Sequence, residues 1–562
     1  MMSFTALRKH LALPTTSWQV CLLAAIGGAF SALLIVLFTM SIEYLQSFYS
    51  NSKDDYTTLD TISRFDLPII GAIVILIFSR LTGYQYLRTG IAFVLHRLKV
   101  AHGLIPLRNT LNQFVGTVIA LASGFSVGRE GPAVHLGAAC SSYIGSLLKL
   151  PYNSIRTLCA CGIAAGISAS FNTPIAAVIF VMEVILREYK VHIFIPVMIA
   201  AIVGSMITQS FYGPAHEFEF FEKIELTIIH YPAIVLLGAV LGLLAFAFNR
   251  YLTLIIKFSS NYHIIPRLLL AAFITGGLGY SIPYAMGTDL SAIGFLSQYD
   301  HHIELLLGLL IAKIIMTISA LGLGIPGGII GPILGIGAIA GSCASTIAMH
   351  YLPGQHLTTD FALMGMAGFM AATLNAPLSA LLAVVELSNQ IEIVVPAMIV
   401  ITTSCLVSGQ FFKNRSVIIM QLEAQGLLYR KTPIEKSLQR IGVLGVMQSN
   451  FHLLEESTVQ QVKDALNRSS GQKIILSKSH NKDHLYTWHE LLDNEENNQE
   501  MLINEHELLP LIHQATLAEA YLALVDKRCG GVYIYQDNID DIIGIVSFEQ
   551  IRLYLLEGKT KL

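Results

Sequence analysis

Apolar residues come in long blocks with short polar interruptions. The first block runs from Trp18 to Met40, and others follow at about 67–82, 110–124, 133–150, 155–169, 174–187, 193–211, 229–249, 264–284, 303–321, 329–349, 360–373, 377–388 and 393–412. A perpendicular membrane span needs roughly 20 apolar residues. Several blocks are shorter and are broken by Gly and Pro. That predicts helices ending at membrane depth, where protein or a water-filled cavity must satisfy the backbone. After Phe412 the pattern changes. Lys413, Asn414 and Arg415 close the last block, and about 430–562 reads as a soluble α/β region. It has β-rich runs at Lys473–Leu476, Gly531–Tyr535 and Ile542–Ser547, amphipathic helices at Thr458–Leu466 and Leu517–Val525, and polar loops at 477–484 and 493–507. This tail carries a weak repeat. A helix opening at Thr458 or Thr516 leads to a strand, then to a second strand running into a helix, at Tyr486–Leu491 and again at Val546–Ile551.

The apolar region also repeats. Ser170-Phe171-Asn172-Thr173-Pro174-Ile175-Ala176 matches Thr373-Leu374-Asn375-Ala376-Pro377-Leu378-Ser379, and Glu183 and Glu386 fall at the same offset from their Asn. Upstream, Gly131-Pro132 is echoed by Gly331-Pro332, and each pair leads into a Gly/Ala/Ser-rich helix. Matched broken segments in two halves point to a binding site at the bilayer midplane. The expected domains are an N-terminal segment 1–17, a membrane region 18–425 with halves of about 18–225 and 226–425, and the tail 430–562.

Composition fixes the class. The chain has 562 residues, 54% of them apolar and 13% charged, with a mean hydropathy of +0.61. Ordinary soluble domains carry roughly 25% charged residues. A net charge of −3 and the lack of a basic tract argue against a nucleic-acid partner. The cysteines (Cys21, Cys140, Cys159, Cys161, Cys343, Cys405 and Cys529) are odd in number and fit no zinc or disulfide spacing, so they read as packing residues. Trp18–Met40 is too long for a signal-peptide core. Arg8, Lys9 and His10 before it place the N-terminus in the cytoplasm, and an even number of crossings places the tail there too.

Gly128-Arg129-Glu130-Gly131-Pro132 sets a carboxylate inside an apolar stretch. A charge at bilayer depth costs about 3 kcal/mol on insertion scales, so it persists where it faces a cavity or a partner. Pro132 suits a first helical position, which aims free N–H groups at the surroundings of Glu130. The segment reads as an anion site with a built-in competing anion. Together with Gly327-Gly328-Ile329-Ile330-Gly331-Pro332 and the Asn-x-Pro repeats, it resembles the CLC family of chloride channels and chloride/proton exchangers over about residues 18–425. The tail is similar to the paired CBS domains of many family members.

The resemblance implies an all-α polytopic fold of two inverted halves with broken helices, an α/β CBS pair at the C-terminus, and a homodimer with a pore in each subunit. It implies an integral multi-pass protein of the plasma or bacterial inner membrane, with chloride as the transported partner. Helix N-termini and backbone N–H groups would hold the anion; a fixed Lys would bind it too tightly to release it. Glu130 matches the gating glutamate, and the backbones of Arg129, Glu130 and Gly131 are candidate donors. In the second half Ile330 replaces the family's Phe, and Ile329 and Ile330 would offer N–H groups to the central anion.

Three departures bear on function. The Gly-Ser-Gly-Ile-Pro motif appears as His102-Gly103-Leu104-Ile105-Pro106, so the chloride-binding serine becomes Gly103. Ser416-Val417-Ile418-Ile419-Met420-Gln421-Leu422 matches the segment that carries the inner tyrosine, which becomes Ile418. A weaker central chloride site and a looser inner gate follow, since each neutral hydrogen bond is worth about 1 kcal/mol. The glutamate that relays protons in many exchangers falls at Val184, next to Glu183. Val184 points to uncoupled, channel-like chloride conduction gated by Glu130. Chloride/proton antiport stays open, as does a chloride sensor that signals through the tail. No nucleophile–base pair or metal cluster suggests an enzyme. In the tail, Thr487 with Glu490 and Ser547 with Gln550 stand where nucleotide-binding CBS pairs place Ser/Thr and Asp, so an adenine nucleotide and a nucleotide-free module both remain open. No other cofactor is implied.

Overall fold

The computed structural model describes residues 4–50, 54–83, 90–213, 226, 228–288, 293–294, 296, 302–351, 357–427, 431–454, 461–462, 474–478, 486–491 and 503–557. The chain divides into two compact units. One comprises Cys21–Ile144 and Thr157–Tyr429, and the other gathers Met1–Val20, Gly145–Arg156 and Arg430–Leu562.

Among the described residues, nine helices are long and apolar enough to cross a membrane, from Trp18–Gln46 to Val394–Phe411, and Pro174–Leu186 and Pro377–Ser388 are shorter apolar helices. This is a multi-pass integral membrane protein. In Trp18–Gln46 the large side chains Leu22, Phe30, Leu33 and Leu37 are exposed, whereas the small residues Ala24, Gly27, Gly28, Ser31 and Ala32 are buried. Without a hydrophobic force between helices in lipid, small residues allow the close backbone approach that gives dispersion contact. Gly137 and Gly162 show how close. A Cβ on Gly137 would lie 2.2 Å from the Gly162 carbonyl oxygen, and one on Gly162 would lie 2.1 Å from that of Gly137. Gly337 and Gly365 repeat the contact in the second half, at 2.5 and 2.1 Å. The hydropathy pattern passes over the helix Gly90–Val100, whose Ile91, Val94, Leu95 and Leu98 are buried while Arg97 and Lys99 close its last turn.

In the C-terminal unit, β1 (Phe451–Leu454), β2 (Ile474–Lys478), β3 (Tyr486–Leu491), β4 (Ile503–Ile512), β5 (Gly531–Tyr535) and β6 (Ile542–Ser547) form one sheet in sequential order. β1 and β2 are parallel and β2 and β3 antiparallel; β4 and β5 are parallel and β5 and β6 antiparallel. The same three-strand pattern thus occurs twice, joined by an antiparallel β3–β4 pair. The helix Leu517–Leu524 opens with a reciprocal cap between Thr516 and Glu519 and packs in a core with Val532, Ile534, Val546 and Ile551.

Three expectations for the tail differ from the structure, the first being the loop at 477–484, whose Ser477 and Lys478 end β2 and pair with Thr487 and Tyr486. Residues 503–507, read as loop, begin the ten-residue strand β4, where cross-strand pairing to β3 outweighs a polar composition. Tyr486–Leu491 is strand throughout, each residue pairing with β4, and 492–502 lie outside the described residues. The helix expected at Thr458–Leu466 lies outside the described residues, apart from 461–462.

Candidate anion site

The two Gly-rich loops meet as a miniature antiparallel bridge. The Gly128 N–H donates to the Gly328 carbonyl at 2.8 Å, and the Gly328 N–H donates to that of Gly128 at 2.6 Å. Each loop then opens a helix, Glu130–Leu147 in the first half and Ile330–Tyr351 in the second. Two helix N-termini, each with unsatisfied N–H groups and the positive end of its dipole, are held side by side. Such ends form an anion-binding site without a formal charge.

Glu130 places its carboxylate in this notch. Its side chain is only 2% exposed. A Cβ on Gly128 would lie 2.0 Å from Glu130 Oε2, and one on Gly328 would lie 2.9 Å from it. The same Gly328 Cβ would sit 2.5 Å from the Gly131 N, and the Gly128 Cβ 3.0 Å from the Gly331 N. The carboxylate and the amides of Gly131 and Gly331 therefore crowd a space that exists because both loops carry glycine. Arg129 stacks its guanidinium over Phe171, 5.0 Å from the ring centroid, and its carbonyl accepts from the Ala133 N–H at 3.0 Å. Ile329 and Ile330 are 5% and 6% exposed at the start of the second helix, with their side chains in the core.

Gly103 needs correction as a chloride ligand. His102 and Gly103 both adopt left-handed backbone, with φ of 56° and 84°. The Gly103 N–H donates to the Arg97 carbonyl at 3.0 Å and the Leu104 N–H donates to that of Ala101 at 2.9 Å, a glycine cap that ends the helix Gly90–Val100. Gly103 thus offers an anion neither a hydroxyl nor an amide. Ile418 is 1% exposed in the first turn of Val417–Ala424 and is wholly apolar.

Val184 is buried at 3% and joins the hydrophobic core. It lies in a π-helical turn, Val181–Leu186, that extends Pro174–Phe180; such turns are frequent at functional sites. In that same turn, Glu183 accepts from the N–H groups of Leu378 and Ser379 at 3.2 and 2.7 Å and from the Ser379 hydroxyl at 2.6 Å. Glu386 does the converse, accepting from the N–H groups of Ile175 and Ala176 at 2.9 and 2.8 Å. Each half's glutamate caps the other half's broken helix. Sequence matching finds the pair but not the exchange between them.

A cavity joins these parts. Glu130, Phe171, Thr173, Phe180, Met370 and Ser379 are among its lining residues. Ser379 is the member that sequence reading passed over; its one signal is that it replaces Ala176 in the repeat.

In the tail, Thr487 pairs with Ser477 on one side and Glu507 on the other, and Glu490 pairs with Asn504, so both lie within a central strand. The strand-end geometry expected of a ribose site is not formed there. Ser547 and Gln550 bond each other: the Ser547 N–H donates to Gln550 Oε1 at 2.8 Å and the Gln550 N–H to Ser547 Oγ at 3.2 Å. Both act as a capping box for the helix Phe548–Glu557.

Paired broken helices around a buried acid define a membrane transport protein rather than an enzyme. The family model for voltage-gated chloride channels matches residues 67–409, and the chain belongs to that family, the CLC proteins. It is 28% identical over 334 residues to a ClcB-like chloride channel protein of Ralstonia nicotianae, a match spanning 56% of this chain and 75% of that one. It is 30% identical over 307 residues to the H(+)/Cl(-) exchange transporter ClcA of Vibrio cholerae, a match spanning 51% of this chain and 64% of that one. The structure of a slow cyanobacterial Cl-/H+ antiporter superposes with a TM-score of 0.65 at 19% identity, covering 73% of this chain and 98% of that one.

Proposed function

We propose that the protein exchanges chloride for protons across a membrane, with Glu130 as the group that serves both ions. One observation carries the reading. The Glu130 carboxylate lies against Gly128 and Gly328, where the loops that open two helices meet; in this reading it contests that place with chloride as an anion and takes up a proton as an acid. When protonated it loses its attraction for the helix ends and yields the notch to chloride; when chloride leaves, the carboxylate returns. Coupling follows from one space serving two charges.

The expectation of uncoupled conduction rested on Val184. It gives way because Val184 removes one relay position without removing Glu130, and because a 30% identical relative is a proton/chloride exchanger. No observation favours the sensor reading. Pairing of two such chains follows from the family resemblance and belongs to the same proposal. The test is a chloride gradient across liposomes that hold the purified protein, with both ions recorded. Uphill proton movement supports exchange, and chloride flux with no proton movement supports a channel.

A further inference from the structure

We propose that His513 is a proton-operated latch on the far end of the helix that carries Glu130, so that acid reaching the C-terminal unit slows chloride movement. The proposal holds for an exchanger and for a channel alike; it needs only that chloride passes by Glu130.

The helix Glu130–Leu147 opens at the anion site, and its last residues, from Gly145, belong to the C-terminal unit. It closes in a turn with Lys149 left-handed at a φ of 50°. The Lys149 N–H donates to the Ser146 carbonyl at 2.9 Å and the Leu150 N–H to that of Gly145 at 3.0 Å. The chain just beyond is gripped twice. Arg8 donates to the Leu148 carbonyl through Nε and Nη2, at 3.3 and 3.1 Å. Gln514 Nε2 donates to the Leu150 carbonyl at 3.1 Å, and the Gln514 carbonyl accepts from the Tyr152 N–H at 2.8 Å. A rigid helix carries a change at one end to the other, so the grip on 148–152 bears on Glu130.

His513 adjoins Gln514 and is 2% exposed. Its Nδ1 shares a 3.1 Å hydrogen bond with the Gln536 carbonyl, and the Lys149 backbone faces the ring without completing a hydrogen bond to Nε2. The charged groups around it are Arg8, Lys149 and Asp537. Burial is the largest influence and, with Arg8, opposes a charged ring; the Gln536 and Lys149 backbones and Asp537 favour one but do not prevail. The ring is therefore neutral in the closed latch. A proton is accepted once water reaches the ring, which requires 513–514 to part from 148–152 and the two Gln514 hydrogen bonds to break. Acid thus draws the population towards the open latch.

The experiment measures chloride efflux from liposomes holding the full chain, with equal pH on both sides, well above and well below the ordinary histidine value of 6.5. It compares Glu130→Gln, whose gate no longer titrates, with the double variant that adds His513→Gln. Coupling between sites is typically worth about 5- to 150-fold, so Glu130→Gln should lose at least about fivefold of its chloride flux in acid. Adding His513→Gln should remove most of that loss. Arg8→Ala, which frees the Leu148 carbonyl, should slow chloride at neutral pH and leave the ratio of protons to chloride unchanged. Equal acid slowing with and without His513 overturns the proposal, as does an acid-insensitive flux in Glu130→Gln. Full flux in Arg8→Ala overturns it as well, a result that does not depend on His513→Gln folding. If Glu130→Gln passes no chloride, the gate reading falls, and the native chain with and without His513→Gln still decides the latch.

Discussion

Gly128 and Gly328 exchange both of their backbone hydrogen bonds, at 2.8 and 2.6 Å, and so tie together the loops that open the two halves' broken helices. The bridge holds two helix N-termini at one point and leaves between them the space that Glu130 fills. Alanine should act differently at the two positions. At Gly128 the new Cβ meets chiefly the end of the Glu130 side chain, which can swing aside, and the Gly331 N only at 3.0 Å. At Gly328 it meets the Gly131 N and the Gly128 carbonyl at 2.5 and 2.9 Å, where backbone must move. Gly328→Ala should cost about 1–3 kcal/mol and reduce folded yield. Gly128→Ala should fold and move chloride with weaker proton coupling. Thermal melting and paired flux measurements check both; equal melting temperatures for the two variants would contradict the geometry.

Glu183 and Glu386 cap each other's helix partners, so each loss should be felt as stability. Glu386→Gln should lower stability by about 1 kcal/mol, the ordinary worth of a cap. It should leave the proton-to-chloride ratio alone. A melting curve in detergent reads the first, and flux reads the second.

Gly103→Ser would be the obvious way to restore the family's serine. The structure predicts that it fails. A side chain at a φ of 84° is strained, and the new Cβ would lie 3.0 Å from Cys159 Cβ. A cost of about 1 kcal/mol or more is expected, with no gain in chloride affinity by calorimetry. Tighter chloride binding in a stable Gly103→Ser protein would show that the turn opens towards the anion path.

The C-terminal unit should weaken in acid. His489 and His513 are 5% and 2% exposed, and burial, the largest influence on each, holds them below the ordinary histidine value of 6.5. His489 Nε2 shares a 2.7 Å hydrogen bond with Ser477 Oγ, and His513 Nδ1 shares one of 3.1 Å with the Gln536 carbonyl. Well above 6.5 both are neutral whether folded or unfolded. As the pH falls through 6.5 towards the depressed folded values, the unfolded chain takes up protons that the folded chain refuses, and stability is lost. Hydrogen exchange at β4, β5 and β6 in the full chain, well above and well below that pH, should show the loss, and His513→Gln should lessen it.

Much of this was legible in the chain. The offsets of Glu183 and Glu386 from Asn172 and Asn375 exposed the repeat, and Gly131-Pro132 and Gly331-Pro332 marked the helix starts, because Pro and Gly act locally on the backbone. The exchange of caps was not legible, since which helix end receives a distant glutamate is decided by packing. Gly103 looked like a lost ligand because a motif match compares side chains, whereas its left-handed φ and committed N–H are backbone facts. Thr487 looked like a strand end because its polar neighbours hid β4, which pairs beside it.

The central claim is that one acid contests chloride's place and carries the proton. The most direct measurement replaces it. In liposomes under a chloride gradient, the native protein should drive protons uphill, and Glu130→Gln should stop proton movement while chloride still passes. Continued uphill proton movement in Glu130→Gln would contradict the account.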